Sequence, residues 1–224
     1  MNQKKIIMNK LFPCPPNNNY DNLMIDMEST SHISTPHVSE TIATIIESLI
    51  PQHIVLENVT IFDGTACVGG DTIALGKTFG TVIATEIDKK RYDMLVNNLR
   101  EFELWNVIPI NDDSLKLYQK INFIDVMYFD PPWGGKNYKY KKDLRLKIGN
   151  MYLDEIVNQV FDQKLLMKDG NIHTRSDVNM VVFKLPKNYN LHELYTLTNK
   201  DSLTIYLYEL NKMIIVVFIR NDYI

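Results

Sequence analysis

The tetrapeptide Asp130-Pro131-Pro132-Trp133 combines groups that can hold and modify a planar amine. Its two prolines fix the backbone and lack N–H donors, so the carbonyl groups around them are left to accept hydrogen bonds. Asp130 supplies a further acceptor, and the face of Trp133 can stack on a base and attract a cationic ring. An ordinary turn with a buried tryptophan is the alternative. The coincidence of an acid, two prolines and an aromatic ring favours a site for a base amine.

A second set of residues suits a nucleoside. Asp63 ends an apolar run, small residues follow it, and Glu86 ends the next apolar run 23 positions later. This spacing is close to that of an acid that accepts hydrogen bonds from both ribose hydroxyls. The intervening turn can present the backbone N–H groups of Gly64, Thr65 and Gly69 to a ligand. It lacks the glycine spacing of a dinucleotide site and the Lys-Ser/Thr pair of a phosphate-binding loop, which disfavours pyrophosphate.

Asp63, the turn and Glu86 together fit S-adenosylmethionine, whose adenosine carries a diol and whose sulfonium and amino groups are cationic. A plain strand-to-helix turn with an unrelated acid is the alternative. Asp112 and Asp113 follow the next predicted strand, where a carboxylate can bind the adenine amine. We favour Asp113 for that contact, and a helix-capping role for either aspartate is the competing interpretation.

These residues need a scaffold that brings strand ends together. Short apolar runs alternate with helical stripes, which predicts an α/β fold with an open, mostly parallel sheet, helices on both faces and a C-terminal antiparallel hairpin. In such a Rossmann-like fold, ligands bind beyond the carboxyl ends of the strands. The predicted strands cover residues 59–63, 81–86, 107–110, 123–129, 179–183, 203–208 and 213–218, and the predicted helices begin at the caps Ser39 and Asp71 or lie around 92–99 and 153–161.

The chain is predicted to have one catalytic domain, residues 39–224, behind an N-terminal extension, residues 1–38, that contributes to the site. The first 20 residues end in a stretch rich in proline and asparagine, so we expect an extended arm there. Trp105 precedes a predicted strand within a hydrophobic stretch, which predicts a core position.

Composition limits the classes of function and the compartment. Cys14 and Cys67 are too few and too far apart for a disulfide framework or a paired-cysteine zinc site, and the five histidines lack a metalloprotease spacing, so no metal is predicted. The longest apolar run is far shorter than the ~20 residues of a membrane helix, and no secretory signal is recognisable. We therefore expect an intracellular protein of the nucleus or cytoplasm, with a viral origin equally compatible.

Positive charge is concentrated in one segment. The whole chain has a formal charge of -3, but residues 136–147 have a net charge of +5 and the rest of the chain -8. Because this basic segment directly follows Trp133 and includes Tyr138 and Tyr140, it predicts a local surface for the end of an RNA, with a solvated loop as the alternative. Its basic members are Lys136, Lys139, Lys141, Lys142, Arg145 and Lys147.

With these motifs in place, roughly residues 20–220 resemble the trimethylguanosine synthase family, which methylates the exocyclic 2-amino group of the 7-methylguanosine RNA cap. Five matching segments occur in the family's order: Ile33-Ser34-Thr35-Pro36; the turn from Asp63 to Thr72; Glu86-Ile87-Asp88 with Asn97-Asn98; Asp130-Pro131-Pro132-Trp133-Gly134-Gly135; and Phe183-Lys184-Leu185-Pro186-Lys187-Asn188. There are two departures. Cys67 stands where the family has glycine, and Lys187 replaces an arginine, which keeps the charge but loses bidentate geometry.

The resemblance implies a class I S-adenosylmethionine-dependent methyltransferase that acts on capped RNA. It implies that Glu86 holds the ribose of the methyl donor, that Trp133 stacks on 7-methylguanine and that Asn98 contacts the guanine edge. It also places Thr35 at the donor and Lys187 at the RNA. Lys136, the first residue of the basic segment, is predicted from its charge and position to contact the RNA as well.

The expected reaction is a direct displacement in which the guanine amine attacks the donor's methyl group without a metal. Asp130 and the carbonyl group of Pro131 orient the amine, and Asp130 can accept its proton. A nucleic-acid adenine amino-methyltransferase is one alternative, because Asp-Pro-Pro-Trp is also found there, but the order of Asp63 before Asp130 disfavours it. A catalytically idle cap-binding or partner subunit is another, disfavoured by the intact acids Asp63, Glu86 and Asp130.

Overall fold

The computed structural model describes residues 3–161, 165–166, 172–173, 178–198 and 201–224, except for the side chains of residues 3–5, 136, 165–166 and 172–173. The chain divides into two compact units, Met1–Lys120 and Ile121–Ile224, which we call unit 1 and unit 2. The sequence-based boundary between residues 38 and 39 stays a prediction.

Unit 1 contains three parallel strands, in which β1 pairs with β2 and β2 pairs with β3. The registers place Asp63 opposite Ala84 and Thr85 opposite Ile110, so all three strands end at one edge of the sheet. The strands are β1 (Thr60–Asp63), β2 (Thr81–Thr85) and β3 (Val107–Ile110), and the helices are α1 (Gln3–Leu11), α2 (Pro36–Ser48), α3 (Gly70–Thr78), α4 (Lys89–Glu101) and α5 (Ser114–Leu117). Short 3₁₀ helices cover Ser29–Ser31, Leu56–Asn58 and Tyr118–Lys120.

The strands of unit 1 are short because only a few consecutive residues of each are apolar. Ile61 and Phe62 of β1 and Val82 of β2 are completely buried. Continuous apolar runs of this kind are typical of parallel strands that are covered on both faces. The predicted strands at 59–63, 81–86 and 107–110 therefore agree with the structure to within one residue at each end.

The N-terminal segment differs from the expected extended arm. Residues Gln3–Leu11 form a helix, and the next residue, Phe12, is buried with its ring centroid 6.4 Å from that of Phe102. The helix predicted to be capped by Ser39 begins earlier, at Pro36, because proline is well suited to the first position of a helix. Ser39 lies inside α2 instead, and its hydroxyl group donates to Asp71 Oδ1 at 2.7 Å.

Trp105 is not in the core, and its predicted position is wrong. It is 78% exposed in the turn between α4 and β3. The neighbouring Asn106 holds this turn by donating to the carbonyl groups of Gly76 and Phe79. The hydrophobic stretch around Trp105 misled the prediction because its apolar residues are split between a turn and the following strand.

Unit 2 combines one parallel strand pair with an antiparallel hairpin. β4 pairs with β9 in parallel, β9 pairs with β11 antiparallel, and β11 pairs with β10 antiparallel. The elements are β4 (Val126–Phe129), β5 (Lys147–Ile148), β6 (Met151–Tyr152), α6 (Leu153–Phe161), β7 (Leu165–Leu166), β8 (Ile172–His173), β9 (Met180–Pro186), α7 (Leu191–Leu197), β10 (Leu203–Glu209) and β11 (Met213–Arg220), with a 3₁₀ helix at Gly135–Tyr140.

The two units together contain the predicted types of strand pair. Parallel pairing joins β1, β2 and β3 in unit 1 and β4 with β9 in unit 2, and the C-terminal antiparallel hairpin is confirmed. None of the helices in the described residues is long and apolar enough to cross a membrane.

Candidate active site

The first group of predicted site residues lies at the carboxyl edge of unit 1, and we call Asp63, the turn 64–69 and Glu86 the acidic edge. Asp63 ends β1 and is 1% exposed. Its Oδ1 accepts from the backbone N–H of Thr65 at 3.1 Å, and its Oδ2 accepts from the Thr72 hydroxyl at 2.6 Å. Asp63 thus holds both the beginning of the turn and the first part of α3.

The turn uses two left-handed residues to reverse the chain into α3. Gly69 has φ 102° and precedes the helix, and Cys67 has φ 49°. A non-glycine residue in the left-handed region costs on the order of 1 kcal/mol, so the cysteine at position 67 is accepted against a local preference for glycine. The Cys67 thiol is 3.4 Å from Ser29 Oγ, and burial raises its pKa.

Glu86 follows β2 and is held by backbone N–H groups on both carboxylate oxygens. Oε2 accepts from Cys67 at 3.0 Å and Oε1 accepts from Asp88 at 2.7 Å. The side chain is 8% exposed. Burial raises the pKa of Glu86, and the two backbone hydrogen bonds act in the opposite direction without cancelling that effect. The structure therefore fixes this acid at the same edge as Asp63, as the spacing predicts.

Asp113 caps α5 in the structure. Its Oδ1 accepts from the backbone N–H of Leu115 at 3.0 Å, and its Oδ2 lies 3.6 Å from Lys116 Nζ. Asp112 accepts from the backbone N–H of Asp113 at 2.8 Å. The capping alternative thus holds for Asp113, and the contact of either aspartate with adenine stays a prediction.

Thr35, the other residue assigned to the donor by resemblance, is exposed just before α2. Its carbonyl oxygen accepts from the backbone N–H of Ser39 at 3.1 Å, and its side chain makes no capping hydrogen bond. Its contact with a ligand also stays a prediction.

Asn98 is committed to the protein backbone. It is completely buried in α4, and its Nδ2 donates to the carbonyl groups of Met24 and Val68, both at 2.8 Å. Its Oδ1 accepts from the backbone N–H of Met24 at 2.8 Å. A contact of Asn98 with a guanine edge would have to replace one of these hydrogen bonds, and it stays a prediction. The structure places Asn98 as a link between the N-terminal segment and the turn of the acidic edge.

The second group of predicted residues follows β4 in unit 2, and we call residues 130–135 the proline turn. Pro131 is buried, whereas Pro132, Gly134 and Gly135 are exposed. The two glycines have φ 90° and 68°, a conformation that disfavours any other residue and that sends the chain into the 3₁₀ helix Gly135–Tyr140.

Trp133 is partly exposed in this turn. Its ring meets the ring of Tyr138 edge-on, with centroids 5.1 Å apart and an angle of 75°. Its Nε1 is buried and has no hydrogen-bond partner within the described part of the chain. A buried donor left without an acceptor costs about 1–3 kcal/mol, so this N–H group is suited to an acceptor on a bound molecule.

Asp130 is paired with a lysine that the sequence analysis did not assign to the site. Lys184 Nζ lies 2.5 Å from Asp130 Oδ2, and the lysine side chain is 3% exposed. The signal was present in the sequence, because Lys184 interrupts the apolar run that forms β9. A charged residue within a buried strand is uncommon unless it has a partner.

The basic residues of the basic segment differ in their surroundings. Arg145 contacts Asp154 at 2.8 Å and Glu193 at 2.9 Å and stacks on Tyr152, which makes it part of the fold. Lys139, Lys141, Lys142 and Lys147 are exposed, and the side chain of Lys136 lies outside the described residues.

Asn188 fixes the backbone of the basic segment, and it was not predicted to do so. Its Nδ2 donates to the carbonyl groups of Tyr138 and Lys141 at 2.8 and 2.7 Å. The adjacent Lys187, predicted to contact substrate, is exposed and pairs with Glu209 of β10. Its contact with RNA stays a prediction.

A model of the RNA cap guanine-N2 methyltransferase family matches residues 58–222 of this chain. The chain belongs to this family. A relative from Acanthamoeba polyphaga mimivirus, an uncharacterized protein, is 31% identical over 226 residues, which cover 92% of this chain and 83% of the relative. The trimethylguanosine synthase of Schizosaccharomyces pombe is 26% identical over 228 residues, 91% of this chain and 87% of that protein. The family suspected from the five motifs is confirmed.

Solved structures of methyltransferases share the fold of this member of the RNA cap guanine-N2 methyltransferase family. They include a human methyltransferase 10 domain containing protein (TM-score 0.58, 15% identity, 86% of this chain and 84% of that one) and a precorrin-6y C5,15-methyltransferase of Geobacter metallireducens (0.57, 12%, 89% and 94%). A putative methyltransferase of Streptococcus mutans, solved in complex with SAH, has a TM-score of 0.52 at 14% identity, over 88% and 99%. The predicted class I methyltransferase fold is confirmed.

The protein is therefore an S-adenosylmethionine-dependent methyltransferase, and the acidic edge is chemically suited to that donor. A buried carboxylate has about four lone-pair positions, and the two backbone donors on Glu86 leave capacity for hydroxyl groups. No group of three or more histidine, cysteine, aspartate or glutamate side chains in the described residues is arranged to hold a metal ion.

Two further residues of the methyltransferase fold, which the sequence did not predict, hold the backbone at the acidic edge and the N-terminal segment. Asn111 follows β3, and its Nδ2 donates to the carbonyl groups of Glu86 at 2.7 Å and Ile87 at 3.1 Å. Arg91 of α4 contacts Asp26 at 3.3 Å and Glu28 at 2.5 Å, which holds the N-terminal segment against α4. Arg91 gives no signal in the sequence, since its partners lie more than sixty positions away.

Proposed function

We propose that this enzyme methylates the exocyclic 2-amino group of the 7-methylguanosine RNA cap. The observation that carries the proposal is the proline turn of unit 2, where an aspartate, buried Pro131 and a partly exposed tryptophan with an unpartnered buried N–H stand together. A 7-methylated guanine is cationic, so an electron-rich indole face attracts it more strongly than a neutral base. Membership of the RNA cap guanine-N2 methyltransferase family supports this assignment.

In the proposed donor site, Glu86 accepts hydrogen bonds from the ribose hydroxyls, and Asp63 supplies negative charge near the amino group of the donor. The backbone of Gly64, Thr65 and Gly69 surrounds the ligand. Asp113 or Asp112 accepts from the adenine amine, and Thr35 completes the contacts. The depth of burial of Asp63 and Glu86 supports these roles, because a buried acid interacts more strongly with a ligand than an exposed one.

In the proposed acceptor site, Trp133 stacks on the base and Asp130 accepts a hydrogen bond from the amine, together with the carbonyl group of Pro131. S-adenosylmethionine supplies an electrophilic methyl group that is bonded to a sulfonium. When the methyl group is transferred, the sulfur leaves as a neutral thioether. The protein's contribution is mainly to hold the amine in line with that methyl group, which accounts for the absence of any metal from the proposed mechanism.

Single-stranded RNA beyond the cap is proposed to follow the basic segment. Tyr140 is 87% exposed, and the neighbouring backbone is held by the two hydrogen bonds from Asn188. Lys139 precedes Tyr140 in the chain and Lys141 follows it, and both lysines are exposed. An exposed aromatic ring with lysines beside it is suited to stacking on a nucleotide and contacting its phosphates.

Tyr140→Ala is expected to raise the KM for a capped oligoribonucleotide by roughly 5- to 100-fold, because base stacking contributes about 1–3 kcal/mol. The KM for 7-methyl-GTP should stay unchanged, since it lacks the nucleotides that would reach Tyr140. Steady-state assays with both acceptors test this difference. Tyr195→Ala, at a tyrosine that is 54% exposed on α7, is the control. Equal effects on both acceptors would contradict a role for Tyr140 beyond the cap.

Donor affinity is expected to fall as the pH is lowered through the raised pKa of Glu86. The ribose hydroxyls bind the ionised carboxylate, so below this pKa the carboxyl group must first lose a proton, and affinity rises with pH until the group is ionised in the free enzyme. Calorimetric titration with S-adenosylhomocysteine across the acidic range measures this. Glu86→Gln should weaken binding and remove the dependence, whereas the exposed-site control Glu57→Gln should retain it. An affinity for wild-type enzyme that is constant with pH would contradict the contact.

The deciding assay offers purified enzyme a labelled donor with 7-methyl-GTP, GTP, or adenine-containing RNA and DNA. Transfer to 7-methyl-GTP well above transfer to GTP is expected, with the label on the 2-amino group. Equal transfer to GTP would exclude the cap assignment, and transfer to adenine would favour the adenine methyltransferase. Binding of 7-methyl-GTP without donor binding would favour an idle subunit.

A further inference from the structure

The contact between Lys184 and Asp130 joins the middle of β9 to the proline turn. β4 and β9 are parallel neighbours, and their register places Phe129 opposite Phe183. Asp130 directly follows Phe129 and Lys184 directly follows Phe183, so the two charged residues occupy corresponding positions. Their charged atoms are 2.5 Å apart, and the side chains are 20% and 3% exposed. The pair therefore lies at the first residue of the motif that is proposed to bind the amine.

Packing does not explain a lysine at this position. All seven residues of β9 are buried, and the six others are apolar. Burying an ion pair is often no more stabilising than burying two apolar side chains, and removing one partner is costly. Burial of the Lys184 ammonium group therefore does not explain the lysine by stability alone. The group that it contacts is the carboxylate of Asp130, and we look for its role there.

We propose that Lys184 is a positioning residue that keeps Asp130 ionised and oriented as a hydrogen-bond acceptor for the substrate amine, so that Asp130 does not take up the amine proton. This inference rests on the proposed function. A nearby ammonium group favours the charged form of a carboxylate. A carboxylate has about four lone-pair positions on its two oxygens, so the contact with one nitrogen does not by itself prevent an amine hydrogen from binding there.

The proton balance follows from this arrangement. The nitrogen lone pair forms the new bond to the methyl carbon while the carbon–sulfur bond breaks, and the methylated nitrogen then carries one proton too many. Because Asp130 stays ionised and paired with Lys184, that proton leaves to water. Asp130 orients the substrate amine by accepting a hydrogen bond from it, and the amide oxygen of an asparagine could accept the same hydrogen bond.

Four proteins separate this role from general-base catalysis: wild type, Asp130→Asn, Lys184→Met, and the double variant. Asp130→Asn removes the ion pair of the buried Lys184 ammonium group, and Lys184→Met removes the ion pair of the partly exposed Asp130 carboxylate, so we expect kcat with 7-methyl-GTP to fall by about 100-fold or more in both. The double variant removes both charges and keeps a carbonyl acceptor, so its kcat should recover to within about tenfold of wild type. Loss of a general base would instead lower kcat by roughly 10²- to 10⁴-fold in the double variant as well.

Binding and stability supply independent readouts. The affinity for 7-methyl-GTP, measured without donor by quenching of tryptophan fluorescence, should fall in each single variant and recover in the double variant. The midpoint of urea unfolding should follow the same order. Lys212→Met, at an exposed lysine between β10 and β11, is the matched control and should behave as wild type.

The outcomes distinguish this inference from the proposed function. If wild type methylates 7-methyl-GTP but the double variant recovers stability without recovering kcat, the reaction needs the carboxylate itself as a base, and the inference is wrong while the function stands. If wild type methylates adenine-containing RNA instead, the cap assignment is wrong, and the same four proteins test the pair with that amine. If wild type transfers methyl groups to none of the acceptors, both are overturned.

Discussion

Replacing Trp133 by alanine is expected to lower kcat/KM for 7-methyl-GTP by about 10- to 5,000-fold and to leave donor affinity unchanged. The loss combines base stacking of roughly 1–3 kcal/mol with a cation–π contribution of about 0.5–2 kcal/mol from the methylated base. The residues proposed to hold the donor all belong to unit 1, whereas Trp133 belongs to unit 2. Steady-state kinetics and calorimetric titration with S-adenosylhomocysteine measure the two quantities separately.

Trp105→Ala is the matched control for this experiment, because Trp105 is 78% exposed between α4 and β3 and has no proposed role. It should leave both kcat/KM and donor affinity at wild-type values. Trp133→Phe keeps an aromatic face but removes the N–H group, so it should retain part of the activity. A loss of donor affinity in Trp133→Ala would mean that the ring belongs to the donor site, contrary to the proposal.

The parts of this enzyme that the sequence predicts well are those set by local pattern. The short apolar runs at Val107–Ile110 and in the C-terminal hairpin form strands because they are rich in β-branched and aromatic residues, which favour extended backbone even where a side chain such as Ile108 is exposed. Glu86 lies at the carboxyl edge with Asp63 because parallel strands end together. The departure at Cys67 is also visible in advance, since a glycine position in the family corresponds here to a left-handed residue.

Tertiary contacts are what the sequence does not predict. The Asn97-Asn98 motif identifies an important position, but a motif alone does not tell a substrate contact from a buried link to the backbone. Trp105 was misplaced because hydrophobicity predicts burial only on average. Arg145 counts toward the charge of the basic segment, yet two carboxylates from α6 and α7 use that charge within the fold.

Lys184 illustrates the opposite case, in which the sequence contains a signal that pattern analysis passes over. A lysine in the apolar run of β9 is conspicuous once the strand is known to be buried along its whole length. Its partner Asp130 is 54 positions away and was assigned a role on its own chemistry. Strand pairing brings the two together, and that pairing is a tertiary property.

Replacing Asn98 by alanine is expected to lower the free energy of unfolding by about 3–5 kcal/mol. The change leaves the N–H and carbonyl groups of Met24 and the carbonyl group of Val68 without their partner, and each buried unsatisfied group costs about 1–3 kcal/mol. Urea unfolding measures the loss. Asn97→Ala is the control, at a partly exposed neighbour that donates to the Asn22 carbonyl group at 2.8 Å and to Asn98 Oδ1 at 3.4 Å and accepts from Arg100 at 3.2 Å. Because none of these bonds is fully buried, it should lose only about 1 kcal/mol.

The same variant distinguishes a positioning role from substrate recognition. Because Val68 belongs to the turn of the acidic edge, Asn98→Ala should weaken donor binding at a temperature where the protein is still folded, while the KM for 7-methyl-GTP changes little. A residue that contacts the guanine edge would produce the reverse: a raised acceptor KM, normal donor affinity and normal stability. That reverse pattern would restore the substrate role for Asn98, and it would require the three backbone hydrogen bonds to be exchanged for substrate contacts during the reaction.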